Sequence, residues 1–264
     1  MPISDDIKKE HQKTKDMSFK GKLSYFWDYY KVHTFVAIIS VIIIVTVIHD
    51  IVTSKDYAFY GVYFNARQTF SAEEQMNTFC DYAGIDTEKY QAMLDNTMYY
   101  STEDMSETTI ASSQKFAAMI QTGEIDMVIA DEDVFTNYAI NEIFYDLRDI
   151  LPEDILEQYK DRIYYIDRAH IKAANDDEAA RQYDFASDYY NELAKKFKDH
   201  HDPELMEDPI PLGIYVTDTP VISSSVCYEG KDAVYGIPTN TKRADIAILY
   251  LRFLGETTEA ASLE

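Results

Sequence analysis

Between Val32 and Ile48 the chain reads VHTFVAIISVIIIVTVI, a run whose polar residues are His33, Thr34, Ser40 and Thr46 and which carries no fixed charge. No other feature of the sequence constrains folding as strongly, because about 20 apolar residues at helical rise match the hydrocarbon core of a bilayer. Continuing past His49 and Asp50 to Val52 supplies that length. A buried core helix is the competing reading, but core helices rarely lack a polar stripe over so many residues. A cleaved signal peptide fits poorly, since the run starts late and His49-Asp50-Ile51-Val52 is not small-residue cleavage chemistry. The sequence therefore predicts an uncleaved membrane-spanning helix over 32–52, preceded by a cytoplasmic tail and juxtamembrane segment over 1–31.

Orientation follows from the flanks. Seven lysines (Lys8, Lys9, Lys13, Lys15, Lys20, Lys22, Lys31) precede the span, and positive residues near a span stay on the cytoplasmic side. Tyr25, Phe26, Trp27, Tyr29 and Tyr30 stand where amphipathic rings favour the headgroup layer. Of 24 basic and 47 acidic side chains, 17 and 41 lie beyond Val52, so almost all of the net charge of -23 belongs to an outer domain. A surface of that sign disfavours nucleic acid and anionic lipid as partners, which need clustered Lys or Arg. Cys80 and Cys227 are the two cysteines; they form either one bridge or two buried thiols, and two isolated residues are not a disulfide framework.

Beyond the connector 53–56, Tyr57–Phe64 reads as a buried strand from its aromatic and β-branched content. Ser71-Ala-Glu-Glu74 is a capping-box pattern opening a helix that Gly84 closes. Residues 97–101 then read as a strand, and 106–122 as a helix with Ile110, Phe116, Ala117 and Ile120 inward and Gly123 at its end. The apolar run IDMVIA over 125–130 suits a strand covered on both sides. This βαβαβ series argues for an α/β domain with a mostly parallel sheet. Further on, the sequence predicts short helical turns over 135–151, a helix over 152–159 and a strand over 162–167. An amphipathic helix follows over 176–198, from Ala179, Tyr183, Ala186, Tyr190, Leu193 and Phe197. Extended segments are expected over 211–217 and 221–225, a strand over 233–237 and a helix over 242–254.

Three stretches together resemble a known family. SSQKFAAMIQTGEIDMVIADEDVFTNYAINEIFYDL (112–147), PIPLGIYVTDTPVISSS (209–225) and VYGIPTNTKRADIAILYLRFL (234–254) are similar to segments of the extracellular solute-binding proteins of bacterial ABC importers, with the class II periplasmic-binding fold. With WDYYK before the span (Trp27–Lys31), the chain is similar to shortened, membrane-anchored relatives of that family in Clostridia-type bacteria. The resemblance covers most of residues 56–254. It implies two extracellular lobes with mostly parallel sheets, 53–132 plus 230–264 and 133–229, that close over a small solute such as a sugar, peptide or amino acid. A membrane transporter or sensor is the implied partner, and no cofactor is implied.

In such a fold the ligand lies outside the carboxyl ends of the strands. That rule selects Asn65 and Arg67 after the first strand, Ser101 and Thr102 after the second, Asp131 and Asp133 after the third, with Tyr215 and Asp218 facing them. Asp, Asn and Arg can orient hydroxyls or peptide termini by paired hydrogen bonds, and tyrosine can stack on a ring. Each residue has a plainer reading as well. Asp131 and Asp133 are equally suited to cap the following helix, and Arg67 to pair with a surface carboxylate. Signals for catalysis are weak: GxSxG, HExxH and a phosphate-cradling glycine loop are absent, and Asp131-Glu132-Asp133 lacks the glycine and terminal glutamate of a calcium loop. His200-His201 reads as a solvated helix end. The chain is thus expected to bind rather than catalyse, with a ligand-free surface scaffold as the alternative and an extracellular hydrolase behind it.

Overall fold

The computed structural model describes residues 18–67, 70–101, 106–182 and 186–256, and the chain forms two units, Met1–Lys55 and Asp56–Glu264. The first is helix α1 (Phe19–Thr53), opened by Ser18, whose hydroxyl accepts from Gly21 N. Its segment Tyr30–Thr53, 24 residues, is long and apolar enough to cross a membrane, and none of it is buried, unlike a core helix. Two of its threonines bond back to the helix: Thr46 Oγ1 donates to the Ile42 and Ile43 carbonyls, and Thr53 Oγ1 to His49 O. Hydroxyls disposed this way need no water.

The second unit runs β1 (Tyr57–Tyr63), α2 (Ala72–Ala83), β2 (Gln91–Asp95), α3 (Glu107–Thr122), β3 (Met127–Asp131), α4 (Glu132–Ala139), α5 (Leu147–Ile150), α6 (Glu153–Gln158) and β4 (Ile163–Asp167). It continues with α7 (Arg168–Ala174), α8 (Asp177–Ala180), α9 (Ala186–Lys196), β5 (Pro209–Tyr215), α10 (Pro220–Ser225), β6 (Ala233–Gly236) and α11 (Ala244–Leu254). The six strands form one sheet in the order β2-β1-β3-β6-β5-β4. β1 is parallel to β2 and β3, while β3–β6, β6–β5 and β5–β4 are antiparallel. The sheet is therefore mixed rather than mostly parallel, and strands from both expected lobes share it.

Alternation along the strands sorts side chains onto two faces. Phe59, Tyr63, Met127, Ile129, Ile214 and Tyr235 face α2, α6 and α11; Tyr60, Val62, Phe64, Val128, Ala130, Tyr164 and Leu212 face α3, α4 and α7. The result is an α/β/α sandwich with a core on each side of the sheet. Cys80 and Cys227 are both buried free thiols in the first of these cores.

Locally encoded features match the sequence. Ser71 and Ser106 cap α2 and α3 by accepting from the amides three residues on. Gly123 ends α3 at φ +67, where a Cβ would also run into the Asn240 carbonyl oxygen. Features set by tertiary context differ. Residues 97–101 are not a strand; β2 lies at 91–95 and stops where Asp95 accepts from Thr97 N and Oγ1, an Asx turn that competes with the ladder. On α3 the buried residues are Thr109, Phe116 and Met119, with Ile110 and Ala117 exposed. The helix expected over 176–198 is divided into α8 and α9, with Tyr189 and Leu193 buried and Tyr190 exposed; Tyr183 is outside the described residues. The extended segment expected at 221–225 is α10, where Pro220 takes a first-turn position that needs no amide.

Phe135 of α4 lies over β5 and β6 with no solvent exposure, stacked on Phe144 at 4.3 Å. Gly213 and Gly236 make that approach possible: a Cβ on Gly213 would stand 2.8 Å from Phe135 Cζ and 2.9 Å from Tyr235 O. Because the second contact is backbone, Gly213→Ala forces the strands or the ring to shift. The substitution is expected to destabilise the domain by about 1–3 kcal/mol, read as a lowered urea midpoint at unchanged slope.

Candidate functional site

The parallel half of the sheet has the order β2-β1-β3, and the chain leaves β1 for α2 on one face but leaves β2 for α3 on the other. Connections that part in this way open a crevice beyond the carboxyl end of β1. A cleft of about 670 Å³ occupies that place, lined by Asn65, Ala66, Arg67, Thr97, Met98, Tyr99, Tyr100, Ser101, Asp131, Asp133, Val134 and Lys231.

Asn65 organises the cleft floor. Its backbone sits at φ 55, a left-handed conformation that Asn tolerates better than most residues. Its amide donates to Met98 O at 3.0 Å, and its side chain accepts from Tyr100 N while donating to Tyr100 O and to Asp131 Oδ2. The end of β1 is thereby joined to the segment after β2 and to the end of β3. Asp131 is buried and caps α4, its Oδ1 accepting from Val134 N at 3.2 Å; its Oδ2 takes Lys231 Nζ at 2.7 Å. The contacts from Asn65 and Val134 come from groups fixed at the end of β1 and the start of α4 and hold this edge of β3 in place, whereas Lys231 reaches in with an exposed side chain. Arg67 pairs with Glu229 at an exposed position, and its amide donates to Cys227 O. Such exposed pairs contribute about 0–1 kcal/mol and exchange partners easily. Burial raises the Tyr100 phenol above its usual pKa, so it remains a donor.

Five residues selected from sequence converge here: Asn65, Arg67, Ser101, Asp131 and Asp133. Asp131 caps α4 and also lines the cleft. Thr102 lies outside the described residues. Tyr215 and Asp218 do not line the cleft. Tyr215 is buried against His201 and Tyr164, and Asp218 is exposed in the turn after β5. Lys231, Tyr99 and Tyr100 went unselected. Lys231 precedes β6, and only the antiparallel direction of β6 puts its leading end at the edge where β1, β2 and β3 finish.

No protein-family model and no curated protein sequence matches the chain. Among solved structures it is similar to the periplasmic binding protein AgtB from A. tumefaciens R10 in complex with agropinic acid, at 11% identity over 74% of this chain and 77% of that one, with a TM-score of 0.31. It is also similar to the periplasmic binding protein P5PA, at 11% identity over 78% and 82% of the two chains, with a TM-score of 0.30.

Beside the cleft a column of rings fills the layer over β4 and β5. His201 stacks on Tyr215 at 4.1 Å, His200 on Tyr164 at 4.6 Å and Phe197 on His170 at 4.6 Å. Burial pushes the Glu132 carboxyl above the usual range, with Asp232 and Asp133 adding to it and His201 and Tyr215 opposing. His170 Nδ1 is buried without a hydrogen-bond partner among the described residues. Burial, with His200 nearby, lowers its pKa from 6.5 to about 4 against the opposing pull of Asp167. Burial likewise lowers His200, although its ring is hydrogen-bonded to Tyr165 O. A group whose pKa falls on folding is held neutral, so its contribution to stability is complete above the unfolded pKa and is lost as pH falls. The denaturation midpoint is expected to drop between pH 6.5 and about 4. His170→Phe, which keeps the stack and removes the orphaned nitrogen, should flatten that dependence; an unchanged slope would exclude His170 as its source.

Proposed function

We propose that this chain is a membrane-anchored, extracellular solute-binding-like protein that holds a small solute, such as a sugar, peptide or amino acid, in the cleft at the β1/β3 switch point, for uptake or sensing through a membrane partner. The observation that carries the reading is the convergence of Asn65, Arg67, Asp131, Asp133 and Lys231 with Tyr99 and Tyr100 on one cleft of about 670 Å³. Sites for small molecules combine a cleft of this size with a few fixed polar groups and aromatic walls. The scaffold alternative calls for a cleft plugged by its own side chains. Neither Phe135 nor Tyr215 is among the lining residues, which favours binding. The lysines before α1 and its apolar segment support an N-terminus in the cytoplasm and a domain outside. Anchoring raises the effective concentration of a solute-loaded domain near a membrane partner.

Thermal unfolding of the full-length chain in detergent, screened against sugars, amino acids and short peptides, tests the reading. A ligand at about a hundred times its Kd stabilises by about 2.7 kcal/mol, equivalent to a Tm rise of roughly 5–10 °C for a domain this size. If no solute moves Tm, the scaffold reading takes its place. For topology, protease added to intact cells should digest the domain beyond Val52 and spare a tag placed before Met1; digestion of the tag instead would reverse the orientation.

A further inference from the structure

We propose that Lys231 is a resident stand-in for ligand: its ammonium occupies, on Asp131, the position that a primary ammonium group of the solute takes when the cleft fills. The cleft then selects ammonium-bearing solutes over neutral or anionic ones. This inference rests on the cleft being a solute site and names the class of solute it takes.

Three groups donate to the Asp131 carboxylate, and they differ in how firmly they are held. Val134 N belongs to the first turn of α4, and Asn65 Nδ2 is fixed by its further bond to Tyr100 O. Neither can leave without disrupting the end of the sheet. Lys231 Nζ, at 2.7 Å, is different: its side chain is 57% exposed while that of Asp131 is 6% exposed. It hangs on a flexible four-carbon stem beside Gly230 at φ 79, in the segment between α10 and β6. It can swing into solvent and leave a desolvated carboxylate, already oriented by two fixed donors, facing the cleft. A carboxylate prepared in that way binds an incoming ammonium and penalises an anion.

The surroundings favour the same sign of ligand. Asp133 lines the cleft, is exposed and makes no ion pair among the described residues, so it supplies a second carboxylate. Arg67, the other cation of the cleft, is neutralised by Glu229. Once Lys231 has swung out, the charged groups on the cleft are Asp131, Asp133 and the paired Arg67. Tyr99, 40% exposed, and Tyr100 line the same cleft, and aromatic rings attract cations. At longer range the net charge of -23 concentrates cations near the surface.

The mechanism is competition within one molecule, and its test is calorimetric titration of the full-length chain in detergent with diaminobutane, and with butanediol as its neutral counterpart. The wild-type chain is expected to bind the diamine at least about tenfold tighter than the diol, the equivalent of one charge-assisted contact. Lys231→Gln, which removes the competing charge but keeps a donor, should tighten the diamine by about fivefold and leave affinity for any neutral solute unchanged. Asp131→Asn should abolish diamine binding, with an unfolding transition recorded for each variant. If Asp131→Asn does not fold, the wild-type comparison of diamine with diol decides alone. Equal binding of diamine and diol, or a folded Lys231→Gln that binds the diamine no tighter, overturns the proposal. If neutral solutes bind and amines do not, the solute-binding reading stands while this one falls; if nothing binds, both fall.

Discussion

A buried aspartate closes β3 at each end, and the two have opposite fates. Asp126 is wholly buried: Tyr60 N donates to Oδ2 at 2.8 Å, Thr241 Oγ1 to Oδ1 at 2.7 Å and Arg243 Nε to Oδ2 at 2.9 Å. Burial still pushes its carboxyl above the usual range, against the pull of these partners. All three are held by the fold, so Asp126 ties β1 and β3 to the approach to α11. Asp131, five residues on, has two partners of that kind and a third, Lys231, that reaches in from an exposed loop. A buried carboxylate is costly unless every partner stays in place, and the central strand is pinned at one edge by a closed set of contacts and at the other by an open one. The crevice, the turn at Asn65 and the start of α4 all take their positions from that second carboxylate.

Division of labour across the sheet follows. The parallel strands β1, β2 and β3 deliver loops of different origin to one edge, and those loops carry the polar groups of the cleft. The antiparallel strands β4, β5 and β6 supply a wide apolar platform in which aromatic rings press against glycine-bearing backbone. Packing of this density leaves little room for adjustment, which suits a frame. Adaptability is confined to the exposed charges around the crevice.

How much of this was legible in the sequence depends on the range of the interaction. The caps at Ser71, Gly84 and Gly123 were read directly, because a cap is decided within one turn of chain. The apolar segment of α1 was legible for a similar reason, being a property of consecutive residues. Asn65 and Asp131 were found because each directly follows a strand recognisable by its own composition. β2 was misplaced because QAMLD has weak strand character and is held by pairing with β1, a contact made across the intervening helix. Tyr215 was assigned to the cleft from its place near the expected crossover between lobes, whereas its ring turns into the core beside Tyr164. Strand direction is the information that local pattern does not hold, and Lys231 was missed for want of it.

The sheet order also bears on how the chain is assembled. Residues 57–131 hold β1, β2 and β3, residues 163–215 hold β4 and β5, and among the described residues the sheet joins the two groups through the four residues of β6. Both groups precede, along the chain, the strand that joins them. Without Ala233–Gly236 the edges of β3 and β5 that it pairs with have no neighbour in the sheet. Pairings so distant along the chain form slowly, and open strand edges are where misassembly begins. Completion of the fold is thus a late event, and the strand that completes it brings Lys231 to the cleft in the same step.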